Sequence, residues 1–233
     1  MPRNKNRGIC LEHRSAAHSE PVSSSSARYR AEILAPTFLE YWAVRSVLPP
    51  ARASWSGVRL MRWKGALEGS IVVVSGLAGA LAPGIPPGTV LIPDWIGLAD
   101  GSSMRCDPAL VKALLKAART LHFQPDSGPL LTAPSMILGS DRNTWSQKGF
   151  VAADMETGLL AGRNLRVATI RVVLDAPERG ISSDWLRPTK AMLQPKLWKE
   201  LFWLSWAAPR YALRAARVLK VALCDEPGNT FAE

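Results

Sequence analysis

Three stretches of the chain are apolar without the alternation of a half-exposed strand. Residues 166–175 are the clearest, with Val167, Ile170, Val172 and Val173 in a β-branched run that ends on Asp175. Residues 71–74 and 89–93 read the same way. Runs of this kind suit strands covered on both faces. Shorter strand signals fall at residues 29–36, 130–132, 135–138 and 150–153, and residues 58–63 can also be read as a strand. Between them lie helical patterns. Thr37 can cap a helix over residues 38–48, with Glu40 at the third position completing a capping box and Pro49-Pro50 stopping it. Asp107-Pro108 opens a helix to about residue 121, with Leu110, Val111, Leu114, Leu115 and Ala118 on one face and Lys112, Lys116 and Arg119 outside it. A helix is expected at 157–163, and residues 145–150 form a helix or connector. Strands alternating with helices predict an α/β three-layer fold, helices above and below one sheet.

The two ends differ from this core. Residues 1–29 are polar, carry scattered Arg and Lys, and include four serines in a row at Ser23–Ser26; they read as a disordered tail. The α/β domain is expected over residues 30–194. Residues 195–233 are a Trp-rich, basic helical segment, interrupted at Pro209. In it Arg210, Arg214, Arg217 and Lys220 recur at helical spacing, a basic stripe opposite Leu213, Ala216 and Leu219.

A length of 233 residues is enough to bury a full core. No apolar run is long enough to cross a bilayer. The three cysteines, Cys10, Cys106 and Cys224, are far apart, so neither a disulfide framework nor a metal site is expected. The three histidines, His13, His18 and His122, lack any metal-ligand or nucleophile spacing. A reducing, cytoplasmic setting is the expectation. The net charge of +10 lies mainly at the two ends rather than in a central groove, so no specific nucleic-acid partner is expected. Aromatics beside the C-terminal basic stripe leave two readings open: a packed cover for the sheet, or an anionic membrane surface with the protein peripheral at the inner membrane.

Chemistry concentrates at three strand ends. Asp175 closes the 166–175 strand, where open α/β sheets bind their ligands. A lone Asp there is more often a turn residue or a cap. Two further stretches change the picture: a Gly-rich turn at Ser75-Gly-Leu-Ala-Gly-Ala-Leu81, and Ala153-Asp-Met-Glu-Thr157.

Together, Gly76-Leu-Ala-Gly-Ala-Leu-Ala-Pro83 with Pro87-Gly-Thr-Val-Leu-Ile92, Ala153-Asp-Met-Glu-Thr157 and Arg171-Val-Val-Leu-Asp175 resemble the nucleoside phosphorylase superfamily. They resemble especially its methylthioadenosine/S-adenosylhomocysteine nucleosidases and hopanoid-associated nucleoside phosphorylases. The resemblance implies a mixed central sheet and cleavage of a purine nucleoside's N-glycosidic bond. Such cleavage needs a proton for the departing base, an acceptor for the ribose hydroxyls and a nucleophile at the far face. By resemblance, Asp175 is the acid near purine N7, which burial would keep protonated. Glu156 accepts from the ribose hydroxyls, and Met155 packs beneath the sugar or simply belongs to the core. Ala78 and Gly79 line the base and nucleophile site, and Met136 and Ile137 flank the purine. Glu40 matches a glutamate that activates water, besides being the capping-box residue.

The chain also departs from that family. Residues 51–70 are too few for its usual hairpin and helix, and its phosphate-gripping Arg and Ser are missing near Gly76. Arg59, Arg62 and Lys64 are the nearest cations. The expected function is cleavage of an adenosine-like, 5′-modified nucleoside, by hydrolysis or with inorganic phosphate as co-substrate. No cofactor or metal is expected, and a homo-oligomer is. The alternative is a non-catalytic nucleoside-binding or membrane-peripheral protein on the same fold.

Overall fold

The structure, a computed structural model, describes residues 31–178, 180–182, 184 and 194–224. The expected tail over residues 1–29 lies outside the described residues. Among the described residues, nine strands form one mixed sheet. They are β1 (Glu32–Ala35), β2 (Ala53–Trp55), β3 (Ile71–Ala80), β4 (Val90–Leu91), β5 (Trp95–Leu98), β6 (Ser103–Arg105), β7 (Leu130–Thr132), β8 (Ala152–Asp154) and β9 (Arg166–Asp175). Their order is β2-β1-β3-β8-β7-β5-β6, with β9 also pairing β3 and β4 pairing β9. Helices α1 (Phe38–Arg45), α2 (Pro108–Thr120), α3 (Ser140–Gln147) and α4 (Trp198–Cys224) flank it. The α/β class with a mixed central sheet is as expected.

The pair β3–β9 is the spine of the sheet. They run parallel, from Ile71 opposite Arg166 to Gly79 opposite Asp175, with a register shift at Ala78/Gly79. The absence of alternation in β9 has a direct cause. Val167, with Val72 and Val74 of β3, packs on one side against Leu34, Leu60 and Leu160. Ala168, Ile170 and Val172, with Val73, pack on the other against Val111 and Leu114 of α2 and Ala215, Ala216, Val218 and Leu219 of α4. Each such buried aliphatic side chain contributes about 1.5–3 kcal/mol.

Several local expectations are corrected. Residues 75–81 are no turn: β3 runs on through Ala80. Residues 58–63 are no strand: Val58–Leu60 form a 3₁₀ turn, with Arg59 and Leu60 at φ 55° and 57°, a backbone no strand can use. Residues 135–138 are irregular, and 157–163 give only the 3₁₀ turn Thr157–Leu160 before Gly162 at φ 74°. The helix expected near 145–150 begins earlier, at Ser140. Strands β2, β5 and β6 were not foreseen; each has four residues or fewer, too short for a periodic signal.

The C-terminal helix is the largest correction. Pro209 does not interrupt it, and α4 is continuous over 27 residues. An internal proline costs about 3 kcal/mol. Here Pro209 is exposed, while Ala207, Ala208 and Ala212 around it are buried and hold both halves in line. The basic stripe is also incomplete. Arg214 turns inward: it donates to the Gly88 carbonyl and its guanidinium lies 5.0 Å from the Phe123 ring.

Candidate active site

A cavity of about 450 Å³ opens where β3, β8 and β9 end. Asp175, Glu40, Ala78, Gly79, Met136, Ile137, Met155 and Glu156 all line it, drawn from five separate parts of the chain. Asp154, Arg142, Val58, Ile181 and Leu204 complete much of the wall.

One side is built around Arg171. This residue sits in the middle of β9 and is fully buried. Its guanidinium reaches Asp154 at 2.5 Å, Thr157 Oγ1 at 3.0 Å and Glu156 at 3.4 Å. Asp154 also accepts from Thr132 Oγ1 at 2.6 Å and from the Thr157 N–H at 3.1 Å. A buried carboxylate needs this many donors. Burial works against the Arg171 charge, but Asp154, Glu156 and Glu40 outweigh it and keep its pKa above the usual arginine value. Glu156 is less well supplied. It accepts from the Arg59 N–H at 3.3 Å and weakly from Met155 N–H at 3.4 Å. Burial pushes its carboxyl up to about 7; Arg171 opposes this, and Asp154 and Glu40 add to it.

The second side is built around Asp175. It is buried, as the expected acid would need, but its Oδ2 meets the Arg142 guanidinium in a short ion pair. The same oxygen accepts from the Ile181 N–H at 3.3 Å. Arg142 itself comes from α3 and is fixed by the Ala80 and Ile137 carbonyls, both at 3.1 Å. The sequence reading placed no cation beside Asp175. The other carboxylate oxygen lies against Gly79, where a Cβ would stand 2.9 Å from Oδ1.

Glu40 joins the cavity to α1. Its Oε2 closes the capping box, accepting from Thr37 N–H at 2.7 Å and Oγ1 at 2.8 Å. Its Oε1 accepts from the Leu77 N–H at 2.7 Å. The cap uses Oε2, and Oε1 is held by the backbone of Leu77, itself part of the cavity wall. Gly76 makes this possible, since a Cβ there would lie 2.4 Å from Glu40 Oε1 and 2.7 Å from Arg171 Nη1.

Arg142, Asp154 and Arg171 were not singled out for roles. For Arg171 the signal was present: a guanidinium in the middle of an apolar strand demands acidic partners. Arg142 had none, because α3 has Trp145 as its one apolar residue and offers no apolar period against which one buried position stands out. The cations nearest in sequence do not line the cavity: Arg62 stacks on Trp55 at 4.1 Å, and Arg59 contributes its backbone alone. Among the described residues, no cluster of His, Cys, Asp and Glu is arranged to hold a metal.

The family model of the phosphorylase superfamily matches residues 37–187. The chain belongs to the phosphorylase superfamily. The matched segment contains every cavity residue named above except Leu204. No curated protein matches the chain. Among solved structures, futalosine hydrolase of Helicobacter pylori shares 12% identity, with 86% of this chain and 100% of that one covered at a TM-score of 0.63. The 5′-methylthioadenosine/S-adenosylhomocysteine nucleosidase of Neisseria meningitidis, in complex with methylthio-immucillin-A, shares 14% identity over 84% and 99%, also at 0.63. The S-adenosylhomocysteine nucleosidase of Streptococcus pyogenes shares 15% over 84% and 97%, again at 0.63. At these identities the likeness is one of fold.

Proposed function

We propose that the protein hydrolyses the N-glycosidic bond of a purine nucleoside, adenosine-like and modified at the 5′ position. The observation that carries this is the meeting of Glu40, Glu156 and Asp175 around one cavity. In the proposed reaction the C1′–N9 bond breaks with its electron pair on the base. Asp175 delivers a proton to N7, so the base leaves neutral. Glu156 accepts from the ribose hydroxyls and opposes the positive charge that grows on the sugar. Glu40 takes a proton from water as its oxygen bonds to C1′. Met155 supports the sugar, Met136 and Ile137 flank the base, and Ala78 and Gly79 leave room for both.

Charge favours water over phosphate. Glu40, Asp154, Glu156 and Asp175 line the cavity, against Arg142 as its one lining cation among the described residues, and Arg142 is committed to Asp175. With Arg142 engaged, the lining offers a phosphate dianion no uncommitted cation among the described residues. The walls at Val58, Leu77, Leu174, Ile181 and Leu204 are apolar, which suits an uncharged 5′ substituent. Such substrates also fit the fold relatives, one of which was solved with 5′-methylthioadenosine in its active site.

A second reading has its own support. With Asp175 held by Arg142 and the Ile181 N–H, the site can bind a nucleoside without protonating it. One assay separates the two. Adenosine, 5′-methylthioadenosine and S-adenosylhomocysteine are incubated with the protein, with and without phosphate, and free adenine is measured. Adenine without phosphate is expected. Adenine only with phosphate would overturn the hydrolytic reading, and none under any condition would leave a binding protein.

A further inference from the structure

We propose that the outward face of α4 docks the protein on an anionic lipid bilayer, lying along the surface rather than crossing it. Trp198, Phe202 and Trp206 are spaced by four, which lines them up on one face of the helix. They are 52%, 72% and 57% exposed. The helix is held by another face, where Ala207, Ala208, Ala212, Ala215, Val218 and Leu219 are buried. Large aromatics exposed in a row mark an interaction surface.

Charge identifies the occupant. Lys199, Arg210, Arg217 and Lys220 of α4 are exposed. The single acid of the helix, Glu200, is engaged by the Ser182 N–H at 2.7 Å. Arg210 lies 4.2 Å over the Trp206 ring, so cation and aromatic sit together at one level. Aromatic rings at headgroup depth with basic side chains among the phosphates are what an interfacial helix presents. A second copy of this chain would bring its own net charge of +10 to the contact. No helix among the described residues is long and apolar enough to span a membrane.

The neighbouring helix also exposes aromatics. Phe38 and Trp42 of α1 are each more than half exposed and in edge contact at 6.0 Å. Helices α1 and α4 pack on each other, and both reach the cavity, through Thr37 and Glu40 and through Leu204. Glu40 and Leu204 lie two residues from these aromatics, so on each helix one face serves the cavity and the other carries the exposed rings.

The test is co-sedimentation of the full chain with vesicles of phosphatidylcholine alone or with phosphatidylserine, at low and high salt. Binding to the anionic vesicles at low salt, weakened by salt, is expected. A Trp198→Ser/Phe202→Ser/Trp206→Ser variant should lose it by about tenfold or more, since each ring forfeits its apolar burial. An Arg210→Gln/Arg217→Gln/Lys220→Gln variant should lose roughly fivefold per charge removed. Circular dichroism checks that both variants remain folded. A wild type that stays in the supernatant overturns the proposal. So does an aromatic variant that binds like wild type, since the basic N-terminus would then be the anchor. Equally fatal is a wild-type dimer that the aromatic variant dissociates while vesicles bind neither. The adenine assay is independent of all these outcomes.

Discussion

Arg171 and Arg142 hold the carboxylates of one cavity in different ways. Arg171 stands on β9, a strand buried along most of its length, and meets Asp154 and Glu156 around the end of β8. Its partners are fixed by the sheet's own hydrogen bonds and by Thr132 and Thr157. Arg142 stands on a short helix between irregular segments and meets one carboxylate, Asp175, that borders open space. The sheet makes the first cluster permanent. The second depends on how α3 sits, and it can be undone without dismantling a strand. Under the proposed function, a cavity with one fixed and one adjustable side would keep its sugar contacts constant while the group facing the base changes partner.

Four predictions bear on that contrast, the largest effect first. Asp175→Asn keeps the shape but cannot deliver a proton, so turnover should fall about 10²–10⁴-fold with the fold retained. Steady-state kinetics on the active nucleoside measures this, and near-normal turnover removes Asp175 from the mechanism. Arg171→Met strips the charge from between buried acids and should cost about 3–5 kcal/mol in urea unfolding. A loss under about 1 kcal/mol would mean that the cluster is not a fixed unit. Arg142→Met should cost less, about 1–3 kcal/mol, because Asp175 can turn to water in the cavity. If it costs as much as Arg171→Met, the contrast between the two sides fails.

The fourth prediction is a pH dependence. Burial holds the Glu156 carboxyl up at about 7, from 4.5 in the unfolded chain. For catalysis the carboxylate is the useful form, so kcat/KM should rise about tenfold per pH unit below 7 and level above it. Glu156→Gln should abolish that rise. For stability the sign is opposite. Between 4.5 and 7 the folded chain holds a proton that the unfolded chain has lost. This stabilisation is complete below 4.5 and is lost as pH rises through 7. Chemical denaturation between pH 5 and 8 reads it directly.

The sheet was legible because β9 and the first half of β3 carry two apolar faces, a pattern independent of distant partners. The capping box at Thr37 was legible for the same reason: it is local. The glycines of β3 misled, since Gly76 and Gly79 look like a turn and are strand positions kept bare for side chains arriving from residues 40, 171 and 175. Pro209 misled in the opposite direction, because tertiary packing outweighs a local break. Arg142 was invisible because its partner, Asp175, is 33 residues away and nothing in α3's composition points there. The inward turn of Arg214 depends on a carbonyl 126 residues distant.

The pairing of β3 with β9 has a kinetic consequence. Thr169 donates to the Val74 carbonyl across 95 residues of chain. Closing so large a loop is entropically costly before any contact forms, and folds dominated by such pairings assemble slowly. Until β9 arrives, β3 presents Val72, Val73 and Val74 along an unpaired edge that another chain could join. Cleft formation is therefore a late event: Asp175 is the last residue of the strand that completes the sheet. A nascent chain stalled before residue 166 would hold a sticky strand and no pocket, so solubility during synthesis should depend on how promptly that final strand is delivered.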